Sequence, residues 1–226
     1  MTAILRTERL VKRFGRTDAL RGIDLEIETG EIVAIIGPSG SGKSTLLHCL
    51  AGILAADDGT VLYDGHRIDR LSEGERSALR RTEFGFVFQF GQLLPELPAV
   101  ENVALPLLLN GVDRREANAR SLEALRLVGI DGLAGALPGG MSGGEAQRVA
   151  VARALVARPR VIFADEPTGS LDSLSGERVM ERFTDLVRDA GTTLVIVTHE
   201  PRVAAYAERE LIVRDGLLAG AEAVTA

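Results

Sequence analysis

The sequence predicts an α/β protein in which buried strands alternate with helices around a parallel sheet. Near-continuous apolar runs, as required of a sheet buried on both faces, recur along the chain. These runs are EIVAIIG (31–37), FGFVFQ (84–89), RVIFADE (160–166) and TTLVIVTHE (192–200). Helical patterns lie between them, at 44–51, 114–128, 143–157 and 175–190.

The N-terminal part follows a different pattern. RLVKRF (9–14), ALRGIDLEIE (19–28) and GTVLYDGHRI (59–68) alternate apolar and polar residues, which predicts an antiparallel β layer with one wet face. From Gln89 to about Leu155 the strand signals disappear and helical patterns dominate. We therefore expect a single domain over 1–226, with a core from 1–88 and 158–226 and a helical subdomain, 89–157, inserted into it.

Composition narrows the possible partners and compartments. The net charge of −6 argues against nucleic acid as a main partner, and we predict none, because phosphate-backbone binding usually leaves a basic stripe. The single cysteine, Cys49, cannot form an intrachain disulfide, which favours a reducing compartment. The most apolar window, 100–112, is too short for a membrane helix and contains Glu101 and Pro106. Any membrane association is therefore expected to come through another chain.

A phosphate-binding loop is the strongest local signal. GPSGSGKST at 37–45 matches G-x-x-x-x-G-K-[ST], follows a predicted strand and precedes a predicted helix. Backbone N–H groups of 40–45 and the helix N-terminus favour a β-phosphate there. Lys43 is expected at the β- and γ-phosphates and the Ser44 hydroxyl at Mg²⁺. An ordinary glycine-rich turn is the alternative, and the strand-to-helix context disfavours it.

Two adjacent acids end the apolar strand VIFADE. Successive strand side chains point to opposite faces, so the two acids can do different work. Asp165 suits the Mg²⁺ shell, through water, and Glu166 suits an attacking water as base or orienter. Solvated acids at a strand end are the alternative. The wholly apolar strand and its position at the carboxyl edge of the sheet, where open α/β folds bind ligands, count against it.

Two more polar residues close predicted strands. Gln89 ends FGFVFQ and His199 follows TLVIVT. A lone Gln or His is usually structural, but with Lys43 and Glu166 these residues mark four strand ends that we expect to line one crevice. We expect His199 at the γ-phosphate, and Gln89 at Mg²⁺ or the attacking water.

A second glycine-rich helix start, GGMSGGEAQRVAVARAL at 139–155, has no lysine. Ser142 is a good N-cap, and the N–H groups of Gly143 and Gly144 form an anion site at the start of a helix. Without a lysine, such a site can only assist in binding a phosphate.

MSGGEAQRV resembles the LSGGQ signature of ATP-binding-cassette (ABC) ATPases, with Met141 in the Leu place and Glu145 in the Gln place. The phosphate loop, Gln89, VIFADE, GSLD (169–172) and His199 occur in the family order, so the resemblance covers essentially the whole chain. It implies a P-loop NTPase fold with a RecA-like core, an N-terminal antiparallel β subdomain and an inserted α-helical subdomain. It also implies an ATPase that uses Mg²⁺ with ATP.

The resemblance implies that the two glycine loops meet in trans. Two chains pack head to tail on binding ATP, and Ser142–Gly144 of one close over the γ-phosphate held by Lys43 of the other. Asp172 lies at the same seam; a helix-capping turn is its alternative role and is compatible. Phe14 takes the place of a tyrosine that stacks on adenine in the family, with a solvent-shielding core residue as the alternative.

The site residues implied in this way fall into three groups. The catalytic group is Glu166, His199 and Gln89. The metal group is Ser44, Gln89 and Asp165. The ATP-binding group is Phe14, Gly37, Pro38, Ser39, Gly40, Ser41, Gly42, Lys43, Ser44, Thr45, Ser142, Gly143, Gly144 and Asp172.

The segment 84–111 is similar to MacB-, LolD- and FtsE-type ATPases, and DEPTGSLDSLSGERVM and VTHEPRVAAYAER agree. That similarity implies an integral membrane permease with an FtsX-like or MacB-like domain as partner. It places the chain on the cytoplasmic, inner face of the cell membrane, held there by the permease. Leu93–Leu97 are then expected to form part of a groove for a permease coupling helix.

Within that group the functions span lipoprotein release, macrolide or peptide export, antimicrobial-peptide resistance and control of cell-wall hydrolases. A soluble, non-transport ABC ATPase is the alternative, but it is expected to show a coiled-coil insertion, a second cassette or a basic surface. A P-loop kinase or GTPase leaves Ser142–Gly144 and His199 without a role. A degenerate cassette is disfavoured by Glu166 and His199.

Overall fold

The computed structural model describes residues 3–223, and the chain divides into two compact units. The first unit comprises Met1–Arg80 and Thr193–Ala226, and the second comprises Arg81–Thr192. Antiparallel and parallel strands are both present together with helices, so the predicted α/β class is confirmed. The predicted bounds of a helical subdomain, 89–157, stay a prediction.

An antiparallel layer opens the first unit. Its strands are β1 (Ala3–Phe14), β2 (Thr17–Glu28), β4 (Asp58–Tyr63) and β5 (His66–Arg67), in the order β2-β1-β4-β5. β1 and β2 pair along their length, from Ala3 opposite Glu28 to Phe14 opposite Thr17. On β2 the apolar residues from Leu20 to Ile27 are buried and the charged residues between them are exposed, as predicted. On β1 the pattern is broken by Thr7, which is buried, and by Phe14, which is exposed.

The second sheet of this unit is built on β3 (Ile32–Ile36). It pairs in parallel with β8 (Thr193–Thr198) and β9 (Arg209–Arg214), and β9 pairs antiparallel with β10 (Leu217–Ala223). All six residues of β8 are buried, as the apolar run predicts. Helix α1 (Lys43–Leu50) packs against β8 and carries Cys49, which is buried; burial raises the pKa of its thiol to about 12.

The second unit holds two parallel strands and most of the helices. β6 (Phe84–Phe88) pairs with β7 (Val161–Asp165), and the rings of Phe84 and Phe163 meet edge to face with centroids 5.2 Å apart. Helices α3 (Ala99–Leu109), α4 (Arg114–Leu127) and α5 (Gly143–Leu155) pack together, and α6 (Ser173–Ala190) packs on α5. Short 3₁₀ turns at Asp131–Leu133 and Pro138–Gly140 connect α4 to α5.

The remaining helices are α2 (Glu73–Thr82) and the short α7 (Pro201–Ala204). No residue of α2 is buried, so its sequence has no apolar periodicity from which to predict it. The predicted helices occur within three residues of their expected bounds; α6 begins two residues early because Asp172 caps it. Within residues 3–223, no helix combines the length and apolar character needed to cross a membrane.

Candidate nucleotide-binding and catalytic site

The phosphate loop of the first unit is shaped by close backbone contacts. Gly42, the N-cap of α1, has φ 106°, and no side chain caps the helix. A Cβ on Gly42 would lie 2.5 Å from the Ala19 carbonyl oxygen, and one on Gly37 would lie 2.1 Å from that of Val213. Glycine is therefore required at both positions, and no capping side chain stands at the start of α1 in the way of a ligand.

Lys43 is buried against the loop, with 7% of its surface exposed. Its Nζ donates to the carbonyl oxygens of Gly37 over 2.8 Å and Pro38 over 2.9 Å. Ser44 is exposed beside it. Ser41 is 4% exposed, and its Oγ has no hydrogen-bond partner among the residues described. The loop thus presents an ordered ammonium and a hydroxyl that a polar ligand would satisfy.

A cleft of about 540 Å³ lies beside the loop, within the range of ligand sites. Gly40, Lys43 and Ser44 line one part of it, and the β2 residues Thr17 and Arg21 line another. Its charged lining residues are Lys43, Arg21 and two aspartates, Asp18 and Asp215, so the cations that could meet a phosphate are Lys43 and Arg21.

Phe14 ends β1 opposite Thr17, which lines the cleft. The Phe14 side chain is 50% exposed, so the core alternative considered from the sequence is wrong. Lys12 Nζ lies 5.6 Å from its ring centroid and 3.2 Å from Asp57 Oδ1, which holds the ammonium at the ring. Stacking of Phe14 on adenine stays a prediction.

Each unit brings two of the predicted polar strand ends side by side. In the first unit Ile36 pairs with Thr198, so Gly37 and His199 follow neighbouring residues at the carboxyl ends of parallel strands. In the second unit Phe88 pairs with Asp165. Gln89 and Glu166 therefore leave neighbouring strands at the same edge.

Glu166 and Gln89 differ in how they are held. Glu166 has φ 49°, a conformation that side-chain-bearing residues rarely adopt, and its carbonyl oxygen accepts from Gly169 N–H over 3.1 Å. The Gln89 amide nitrogen makes one long hydrogen bond, 3.4 Å, to the carbonyl oxygen of Gly169. Strained backbone that persists is commonly found at functional sites.

The second glycine-rich segment starts α5 with a complete capping box. Ser142 N–H and Oγ–H donate to Glu145 Oε2 over 2.8 and 2.7 Å, and Glu145 N–H lies 3.3 Å from Ser142 Oγ. The bonds from the Ser142 backbone and hydroxyl hold the pKa of Glu145 below its usual value. The predicted N-cap is present; the partner at Glu145 was not predicted, although the Ser-x-x-Glu spacing signals it.

Asp172 caps α6 and accepts from Ser175 N–H over 3.0 Å. Hydrogen bonds from the side chain and backbone of Ser175 hold the pKa of Asp172 below its usual value. A Cβ on Gly143 would lie 3.1 Å from Leu171 Cδ2, so the start of α5 packs on the turn that precedes α6. The second unit therefore places the glycine-rich start and Asp172 next to one another.

The residues predicted to hold a metal offer oxygen donors. Ser44, Gln89 and Asp165 supply a hydroxyl, an amide oxygen and a carboxylate, which suit Mg²⁺. Nowhere in residues 3–223 do three or more His, Cys, Asp or Glu side chains cluster to hold a metal ion. Each of the three groups taken singly is therefore an oxygen donor of the kind that Mg²⁺ takes, and phosphate oxygens and water usually complete the shell of Mg²⁺ at nucleotides.

Known proteins resemble this chain over nearly its whole length. A family model described as ABC transporter matches residues 20–169. The lipoprotein-releasing system ATP-binding protein LolD of Bacteroides thetaiotaomicron is 48% identical over 215 residues, covering 95% of this chain and 99% of that protein. LolD of Bordetella avium is 45% identical over 222 residues, covering 96% of each.

Solved structures agree. A dimeric structure of MJ0796, a bacterial ABC transporter cassette, matches with a TM-score of 0.90 and 38% identity over 98% of this chain and 99% of that one. MJ0796 in a dimeric post-hydrolysis state bound to ADP and Pi matches with a TM-score of 0.90 and 37% identity, at the same coverage. CbiO1 of Clostridium perfringens, part of the ABC transporter complex cbiONQ, matches with a TM-score of 0.89 and 31% identity, over 99% of this chain and 89% of that one.

Proposed function

This chain belongs to the ABC transporter ATP-binding family, and on that premise we propose that it powers a lipoprotein-releasing membrane complex. It is an ATPase, the ATP-binding subunit of a transporter, so the soluble non-transport cassette is set aside. The observation that carries the proposal is 45–48% identity to LolD proteins along almost the full length of both partners. Lipoprotein release is thereby favoured over drug or peptide export.

The first unit supplies the proposed cation for the phosphates. On binding ATP, Lys43 exchanges the carbonyl oxygens of Gly37 and Pro38 for β- and γ-phosphate oxygens. Ser44, Asp165 and Gln89 are the residues proposed to hold Mg²⁺, which neutralises phosphate charge when bound. His199 follows the strand beside the loop, and we assign it to the γ-phosphate.

Glu166 is the proposed general base. It leaves β7 beside Gln89, and its strained backbone sets the direction of its Cα–Cβ bond, from which the side chain reaches its carboxylate position. In this role Glu166 accepts a proton from the attacking water while Gln89 orients that water. Both residues are half-buried, as groups that must meet a ligand and still exclude bulk water would be.

Two copies of the chain are proposed to close over two ATP molecules. Ser142–Gly144 of one copy contact the γ-phosphate held by Lys43 of the other, with Asp172 at the same seam. Exposure of Ser142, Gly143 and Asp172 on the second unit supports this, since a surface used in trans must be open in the monomer. The similar cassette MJ0796 has dimeric structures, one of which is a post-hydrolysis state bound to ADP and Pi.

The permease is proposed to dock on the segment that contains Leu93–Leu97. The buried Asn102 side chain holds this segment: its Oδ1 accepts from Leu94 N–H over 2.8 Å, and its Nδ2 donates to the Leu94 and Leu97 carbonyl oxygens over 3.0 and 2.8 Å. Leu94 is 46% exposed and Phe90 75% exposed. Rigid, exposed apolar side chains suit a coupling helix of an FtsX-like or MacB-like permease, which would hold the chain at the cytoplasmic face.

The test is reconstitution with an integral membrane permease that carries an FtsX-like or MacB-like domain. Proteoliposomes carrying the complex and an acylated lipoprotein are supplied with ATP and Mg²⁺, and lipoprotein released to a soluble acceptor is measured. We expect release with the parental chain and none with Glu166→Gln. Lipoprotein retention, together with ATP-driven movement of a macrolide or a peptide, would contradict lipoprotein release while leaving the ATPase assignment intact.

A further inference from the structure

Residues 88–92, the Gln89 loop, form a tight turn directly after β6. Gly91 N–H donates to the Phe88 carbonyl oxygen over 2.9 Å, and Gln92 N–H to that of Phe90 over 2.7 Å. Gly91 has φ 65° and Gln92 has φ 46°, so two successive residues adopt the left-handed conformation. Gln92 carries a side chain and is strained there, and a strained turn persists only when its surroundings hold it.

Side chains from α5 and from the turn before α6 hold the start of this loop. Gln147, 1% exposed, donates from Nε2 to the Phe88 carbonyl oxygen over 3.0 Å. Ser170 Oγ donates to the Gln89 carbonyl oxygen over 2.7 Å. The backbone on both sides of the Gln89 side chain is thus fixed.

Arg153 of α5 holds the end of the loop. Its Nη2 donates to the Gly91 carbonyl oxygen over 2.6 Å and its Nη1 to that of Gln92 over 2.8 Å. Burial lowers the pKa of Arg153 from its ordinary value, so its charge is partly withdrawn from water where it meets these two carbonyls. A guanidinium is the one side chain that offers two rigid parallel donors to successive carbonyls; a lysine ammonium is a point charge.

The Gln89 side chain contrasts with its backbone. Every carbonyl from Phe88 to Gln92 accepts a short hydrogen bond, whereas the Gln89 amide makes only the 3.4 Å contact with Gly169. A fixed backbone under a loosely held amide is the arrangement expected when the amide is kept for a ligand.

We propose that Arg153 is a positioning residue for hydrolysis, which sets where the Gln89 amide meets Mg²⁺ and the attacking water. The proposal rests on the role proposed above for Gln89. Arg153 and the N-cap Ser142 belong to the same helix, α5. The two hydrogen bonds from Arg153 therefore also link the phosphate contact made in trans to the Gln89 loop of the same chain. A movement of α5 is then passed to Gln89 through two carbonyls.

The test compares Arg153→Lys with Arg120→Lys in the full chain. Arg120 is also half-buried and donates from a helix to a backbone carbonyl, that of Val156, over 3.0 Å, but it does not touch the Gln89 loop. We expect Arg153→Lys to lower kcat roughly tenfold and to raise the Mg²⁺ concentration for half-maximal rate, as lost outer-shell contacts do. ATP affinity measured without Mg²⁺ stays at the parental value, and Arg120→Lys stays parental in each measurement.

A second readout needs no activity. Amide hydrogen exchange in the nucleotide-free protein is expected to speed up at Gly91 and Gln92 in Arg153→Lys and to stay unchanged in Arg120→Lys. If Arg153→Lys does not fold, Gly91→Ala tests the same turn, because a side chain there must adopt the left-handed conformation at φ 65° and so strains the turn. It is expected to speed exchange and lower kcat by a smaller factor, and parental values of both would overturn the proposal.

A double-variant cycle separates the two proposals. If Arg153 acts through Gln89, Gln89→Ala with Arg153→Lys has the same kcat as Gln89→Ala alone. Losses that multiply would overturn the positioning role and leave Gln89 in place. A parental kcat for Gln89→Ala alone would instead remove Gln89 from the proposed function, and the role of Arg153 with it.

Discussion

The two glycine-rich helix starts, before α1 and before α5, look alike in sequence and are built in opposite ways. At α1 the N-cap is Gly42, no side chain caps the helix, and Lys43 lies over the loop. At α5 the N-cap Ser142 and Glu145 form a capping box that occupies the N–H groups of Ser142 and Glu145. The helix start without a side-chain cap therefore places no anionic side chain against a phosphate, whereas the capped one already has an anionic side chain of its own.

Glycine content alone therefore does not make a phosphate site. What decides is whether the N–H groups of the first turn are left to a ligand and whether a cation is present. By that measure the α1 start can hold a triphosphate within one chain. The α5 start, which lacks a cation and carries Glu145, can only add to a phosphate held elsewhere.

The largest effect is expected from Lys43→Ala. Removing the ammonium takes the only loop cation from the phosphates, and ATP affinity should fall by roughly a hundredfold, the scale measured for lost buried charge contacts. Titration of a fluorescent ATP analogue into the purified chain measures it. Parental affinity would show that the two helix starts do not differ in the way proposed.

Ser142→Arg comes next and separates the two starts. The bulky cation blocks the proposed contact in trans, so turnover should fall below detection while the monomer keeps its parental ATP affinity. In a Glu166→Gln background, which binds ATP and stalls, the ATP-loaded dimer seen on a sizing column should disappear. Loss of ATP affinity in the monomer would place Ser142 in the cis site and contradict the proposed difference between the two helix starts.

Glu145→Gln should have a smaller effect of opposite sign. The amide keeps the shape of the cap and removes a negative charge from the helix start, so half-maximal ATPase activity should need about two- to fivefold less ATP. Glu75→Gln is the matched control, because Ser72 and Glu75 form the same box at α2, with both bonds from Ser72 to Oε2 at 2.7 Å. An equal shift in both variants would rule out a local charge effect.

The smallest effect is a pH dependence of stability. The folded pKa of Glu145 is lowered, so its cap stabilises the fold above the unfolded pKa, near 4.5, and is lost as pH falls through the folded value. Thermal unfolding should therefore show the parent slightly more stable than Glu145→Gln at pH 7, with the gap closing below about pH 4. A gap that widens on acidification would mean that the carboxylate destabilises the helix start.

Much of the fold was predictable because buried strands and helix faces require apolar residues, and these leave a pattern in the sequence. The strands β3, β6, β7 and β8 contain near-continuous apolar runs, which are typical of strands buried on both faces of a sheet. Helix α2 has no buried residue and left no such trace. The hairpin of β9 and β10 was also missed, although Asp215-Gly216 is a strong turn signal between them.

The site residues also divide into those that a local sequence pattern predicts and those that it does not. Motif spacing located Lys43, and the ends of apolar runs located Asp165, Glu166, Gln89 and His199. The capping box at Glu145 was readable from its spacing but was obscured by comparison with a signature that has glutamine there. The hold of Arg153 on the Gln89 loop was not readable, because hydrogen bonds to backbone carbonyls across 61 and 62 residues depend on the tertiary fold and not on local pattern.

Lys43 Nζ bridges two carbonyl oxygens of its own loop, so its four-carbon stem loses its rotational freedom during folding. A triphosphate that enters the loop then replaces carbonyl oxygens as the acceptor of an ammonium that is already ordered. It does not have to order a flexible lysine side chain. Association should then be limited by diffusional encounter and not by ordering of the Lys43 side chain, so its rate should fall in proportion to solvent viscosity.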